Sequence, residues 1–79
     1  MAGLAELESC FVETFALEAG TDPRSLQFQA IPEWDSVGHM QLIAAIETAF
    51  DVMLETQEVL DMSSFDKAVE ILKRHSARL

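Results

Sequence analysis

Apolar residues along this chain recur at spacings of three and four rather than in alternation, and that periodicity predicts helices throughout. Leu4, Leu7, Phe11 and Phe15 form the first stripe and mark a helix over roughly residues 3 to 18, with Gly20 as its stop signal. Thr21-Asp22-Pro23 then opens a loop that runs to about residue 34. Loops of that length in small domains are functional or packed by their own side chains; here Leu26, Phe28, Ile31 and Trp34 can pin it onto the helices. Pro32 drives Ile31 out of helical conformation, which keeps the chain extended up to Trp34.

A second helix is expected from Asp35 or Ser36 to about Phe50. Met40, Ile43, Ile46 and Phe50 make one stripe, and Leu42, Ala45, Ile46 and Ala49 an overlapping one. An apolar arc that wide touches neighbours on more than one side, so this should be the central helix. Thr56 is the expected N-cap of a short helix over residues 57 to 62. Ser63 is expected to cap the last helix, with Asp66 in a capping-box-like position; Phe65, Ala68, Val69 and Leu72 supply its buried stripe, with Ile71 beside it. The expected fold class is therefore all-α: a four-helix bundle of three main helices and a short third one, with the long loop between helices one and two.

Composition agrees with a single domain spanning residues 1–79: 49% of the chain is apolar, and Pro and Gly are scarce. At this size folding buries roughly 60% of the unfolded chain's surface. No apolar run approaches the ~20 residues needed to span a bilayer. Glu6, Glu8 and Glu13 interrupt the N-terminal stretch, which has no basic leader, so no signal peptide and a cytoplasmic location are expected. Cys10 is the single cysteine; it cannot form an internal disulfide and reads as a buried or half-buried thiol on the first helix.

The net charge of −9 is unevenly placed. Between Arg24 and Lys67 there is no Lys or Arg, while Glu33, Asp35, Glu47, Asp51, Glu55, Glu58, Asp61 and Asp66 all lie there. That excludes the basic footprint nucleic acid requires. It leaves either a solvated acidic surface or a docking face for basic partners. No Asp-x-Asp-x-Asp-Gly calcium loop occurs, and no metal site is expected.

The candidate chemistry lies in Trp34-Asp35-Ser36-Val37-Gly38-His39-Met40, where loop becomes helix. Asp35 can cap the helix, which frees the Ser36 hydroxyl to point outward; a phosphodiester there would meet unpaired N–H groups at the positive end of the helix dipole. Gly38 costs about 1 kcal/mol inside a helix relative to alanine. Either it keeps space around Ser36 open for an enzyme, or packing demands it. His39 shares a helix face with Ser36, yet no orienting acid, oxyanion hole or Gly-x-Ser-x-Gly elbow accompanies the pair, so His39 reads as a surface residue. His75 reads as a late-helix group near the favourable dipole end. Met40, Met53 and Met62 are either adaptable contacts or ordinary core packing.

The motif resembles the attachment site of the acyl and peptidyl carrier family, whose signature is Asp-Ser-Leu with a central serine; here it reads Asp35-Ser36-Val37. The similarity runs the length of the chain, through Ile43-Ala44-Ala45-Ile46-Glu47 and the ending Asp61-Met62-Ser63-Ser64-Phe65. The resemblance implies a non-catalytic carrier. Ser36 would receive 4'-phosphopantetheine from coenzyme A through a magnesium-using phosphopantetheinyl transferase, with Asp35 helping that enzyme recognise the site. The arm's thiol would hold an acyl or aminoacyl group as a thioester. Val37, Met40, Gln41 and Glu47 match partner-facing positions, and Ile46, Leu60 and Met62 match positions lining an acyl pocket between the second and third helices. Implied partners are a loading ligase and downstream acyl- or condensation-type enzymes with basic docking surfaces, met by a monomeric shuttle. Gln41 and Thr48 stand where fatty-acid carriers are often acidic. The wording around Ser36 is more similar to D-alanyl and specialised-pathway carriers, and a housekeeping fatty-acid carrier is the alternative. The alternative from another class is a small acidic helical adaptor without a prosthetic group.

Overall fold

The computed structural model describes residues 3–75. It contains four α-helices: α1 Leu4–Phe15, α2 Ser36–Phe50, α3 Thr56–Asp61 and α4 Phe65–Arg74, with a 3₁₀ turn at Pro23–Ser25 in the long loop. Among the described residues there is no strand, only an isolated antiparallel bridge between Gln27 and Ser64. The all-α expectation holds, and no helix is long and apolar enough to cross a membrane among these residues.

The apolar stripes of α1, α2 and α4 converge on one core. Leu7, Phe11 and Phe15 of α1 meet Leu42, Ile43 and Ile46 of α2 and Phe65, Ala68, Ile71 and Leu72 of α4. Trp34, the last loop residue but one before α2, sits at the centre with no exposed surface. Its ring stacks on Phe15 at 5.3 Å and meets Phe11 edge-on at 5.4 Å, while Phe11 also packs on Phe65 at 5.2 Å. Tilted and edge-to-face pairs of this kind add to simple area burial. Cys10 is buried as expected, its Sγ donating to the Ala45 carbonyl at 3.8 Å.

Four sequence expectations shift on contact with tertiary structure. First, α1 ends at Phe15 rather than near residue 18, because Ala16 turns left-handed (φ 50°) and its N–H bonds back to Val12. Gly20 (φ 94°) belongs to the following turn. Second, α3 is capped by Glu55, not Thr56: Glu55 and Glu58 form a reciprocal capping box. Third, Ser64 rather than Ser63 caps α4, accepting from the Lys67 N–H at 3.1 Å. The loop decides this, since the Ser63 carbonyl accepts from Phe28 N–H at 2.8 Å and the Leu26 carbonyl accepts from Phe65 N–H at 3.3 Å. Fourth, Ile71 is buried on α4 and Val69 only half-buried, the reverse of the expected order.

The loop is fixed to the helices by Leu26 and Trp34, both buried, and by Arg24 Nε donating to Glu8 of α1 at 2.8 Å. Ile31 is half-buried; Phe28 stays 37% exposed. One helix differs from the rest: none of the six residues of α3 is buried.

Candidate functional site

The start of α2 is built by its N-cap. Asp35 is extended, and its Oδ1 accepts from Gly38 N–H at 2.8 Å. The cap is therefore complete without Ser36, whose side chain lies exposed at the first helical position. The expected start and capping residue of this helix both hold.

Gly38 has a packing reason. A Cβ there would run into the backbone carbonyl of Glu33, with the Phe15 ring also close. The glycine lets the last loop turn lie directly on the helix, which sets Trp34 into the core and Asp35 over the helix end. Of the two explanations offered by the sequence, the structure supplies this one.

His39 is not a surface residue. It is half-buried, and its Nδ1 accepts from the Trp34 indole Nε1–H at 2.9 Å. Its Nε2 lies 2.7 Å from the Val59 carbonyl of α3. Indole can only donate and a carbonyl can only accept, so the neutral ring must carry its proton on Nε2. Both nitrogens are occupied, which leaves none as a base for Ser36.

Beside Ser36 a groove of about 330 Å³ runs between α2 and α3. Ser36, His39 and Met40 form one wall, Val59 and Leu60 another, with Phe28, Met62 and Ser63 completing it. Apart from the two serines and the engaged histidine, the lining is apolar. Of the expected pocket residues, Leu60 and Met62 line this groove; Ile46 does not, because it lies in the core ten residues further along α2 than Ser36. A wider, shallower depression of about 600 Å³ lies between α1 and α2 around Cys10, Ala45 and Ala49, away from Ser36.

The expected partner-facing residues divide in the same way. Val37 and Met40 are 67% and 57% exposed, and Gln41 is exposed. Glu47 is half-buried, and its carboxylate accepts from Leu54 N–H at 2.9 Å, tying down the turn after α2. Glu47 is the only acidic residue of α2, so the outward face of that helix carries no free charge. The anionic residues instead flank it, in the approach to Ser36 and along α3.

Electrostatics are most distinct at α3. Glu58 accepts from Glu55 N–H at 3.0 Å and faces His75 Nε2 at 2.9 and 3.0 Å from its two oxygens. The Glu55 N–H first, and His75 second, hold its carboxyl below the usual glutamate range. Burial first, then the nearby Glu6 and Glu13 carboxylates, push the Cys10 thiol up to about 11.

Met40, expected on the partner-facing surface, also lines the groove, and Phe28, His39, Val59 and Ser63 are groove residues to which sequence reading gave no place in the site. The available signal was Trp34: a buried indole N–H requires an acceptor, and His39 is the polar side chain one turn into the next helix. Comparison of the chain with protein-family models, curated proteins and solved structures finds no match.

Proposed function

We propose that this protein is an acyl or aminoacyl carrier that is loaded at Ser36 with 4'-phosphopantetheine and belongs to a specialised biosynthetic pathway. The observation that carries this reading is the exposed Ser36 hydroxyl at the first position of α2, beside the apolar groove, with the cap already supplied by Asp35. The four-helix order and the long loop suit the carrier bundle that the sequence resembles.

The residues present fit the group. Loading requires the Ser36 Oγ to lose its proton to the transferase and bond to the pantetheine-side phosphorus of coenzyme A, while the phosphoanhydride bond breaks and adenosine 3',5'-bisphosphate leaves. The resulting phosphodiester charge on Ser36 would lie at the positive end of a helix of 15 residues, where first-turn N–H groups favour an anion. Asp35 spends Oδ1 on the cap and is exposed, so its carboxylate would be open to recognition by the transferase. Bound there, the arm would supply the thiol that holds cargo as a thioester. Leu60, Met62, Met40 and Phe28 offer that cargo an apolar resting place close to its attachment point.

A neutral outward face on α2 favours a specialised pathway over a housekeeping one. With Glu47 engaged, Val37, Met40 and Gln41 would meet partners through contact rather than charge, while the flanking acids steer basic partners at longer range. The same exposed apolar residues also suit an adaptor without a prosthetic group, the second reading.

The test is incubation of the protein with coenzyme A, magnesium and a broad-specificity phosphopantetheinyl transferase, followed by intact mass. A gain of one phosphopantetheine that Ser36→Ala abolishes supports the carrier. No gain, with a known carrier modified in the same tube, selects the adaptor.

A further inference from the structure

We propose that the His39 ring is the inner wall of the groove beside Ser36 and sets how long a neutral acyl chain the groove accepts. The inference rests on the carrier reading for its use, since such a chain would be cargo on an arm at Ser36. The groove and its wall, however, belong to the unmodified chain.

The groove deepens from Ser36 toward His39. Ser36, Met40, Leu60 and Ser63 are exposed at its rim. His39, one turn further along α2, is half-buried, as is Val59, and Met62 is wholly buried. Behind His39 stands Trp34, which has no exposed surface and takes no part in the lining. The two rings lie 15° from parallel with centroids 6.2 Å apart, and the indole N–H meets His39 Nδ1 at 2.9 Å. Near-parallel rings joined through their nitrogens at that centroid distance stand edge to edge, not face to face. The imidazole therefore fills the space between the groove and the indole.

That ring is fixed in place. Its Nε2 lies 2.7 Å from the Val59 carbonyl, and the Phe28 ring meets it edge-on at 5.6 Å. Turning it aside takes the acceptor from a buried indole N–H and the donor from a helix carbonyl, two losses that a hydrocarbon chain cannot replace. Met62, the other inner residue, is unbranched and can yield; it shapes the fit, while His39 sets the limit.

The lining also selects the occupant. It holds no carboxylate, so the ammonium of an aminoacyl group finds no partner there, whereas a neutral hydrocarbon chain meets apolar side chains. At about 330 Å³ the groove stands near the lower end of the roughly 300–1,000 Å³ of small-molecule sites, room for a short chain.

The test is a series of straight-chain primary alcohols, butanol to decanol, titrated into the full, unmodified chain and followed by NMR. Affinity should rise about fourfold with each methylene and level off before decanol. At the levelling point the terminal methyl should show nuclear Overhauser contacts to the His39 ring protons and none to Trp34. Trp34→Phe, which keeps the histidine, should leave the levelling point unchanged. Adding His39→Ala, with no indole donor left to orphan, should let decanol bind at least about fourfold tighter than it binds the parent, the gain of one further methylene. The parent's own levelling and methyl contacts carry the test if that double variant does not fold. Absence of saturable binding in the groove, a rise that continues to decanol in the parent, methyl contacts to Trp34 or Ile46 instead of His39, or a double variant that binds decanol no better would overturn the proposal. Loading of Ser36 is read separately by mass: loading without levelling removes this inference alone, and levelling without loading removes the carrier reading alone.

Discussion

Helices α3 and α4 follow one another in the chain, yet they are held by different physics. Four side chains of α4 lie in the core, whereas α3 buries none and is fixed by a capping box and two histidine contacts. Apolar attachment is insensitive to direction and to protons; hydrogen-bonded attachment is sensitive to both. The groove beside Ser36 thus lies between one helix held by the core, α2, and one whose own side chains are not buried, α3.

The largest effect should come from the rigid side. Phe11→Ala removes a ring that touches Phe15, Trp34 and Phe65, and should lower unfolding free energy by about 3–5 kcal/mol in urea titration. Gly38→Ala sharpens the same contrast by its sign. A helical glycine replaced by alanine ordinarily gains about 1 kcal/mol, but the collision with the Glu33 carbonyl should turn this into a loss of roughly 1–3 kcal/mol. Asp35→Ala should cost about 1 kcal/mol through the lost N-cap, read by the same titration.

The α3 side predicts smaller and more conditional effects. The Glu58 carboxyl is held below its unfolded range, so its contribution is fully present above that range and is lost as pH falls through the lower folded value. Glu58→Gln should flatten that part of the acid limb in a plot of stability against pH. Leu60→Ala, on the exposed face of α3, should change stability by no more than about 0.5 kcal/mol. A larger loss would mean that α3 is held by apolar burial after all, and the contrast with α4 would collapse.

What the sequence discloses follows the same division. The stripes of α1 and α2 were readable because burial there follows helical periodicity, and Asp35 was readable as a cap because capping is local. Ser63 and Ser64 are chemically identical, and the choice between them is made by Leu26 and Phe28 pairing across from the loop, which no local pattern carries. Resemblance alone implies Ile46 for the groove, yet it lies ten residues beyond Ser36, about 15 Å along the helix axis. The role of His39 is not legible in the sequence, because its partners, Trp34 and Val59, are brought together only by the fold.

The buried thiol on α1 has an experimental consequence. With its pKa pushed up to about 11 by burial, Cys10 stays in the unreactive thiol form at neutral pH. Its sulfur is also covered and engaged with the Ala45 carbonyl. A mild alkylating reagent therefore meets a silent background in the folded protein. Rapid labelling after incubation with coenzyme A and a transferase would report a sulfur that the sequence does not encode, with the native cysteine left in place.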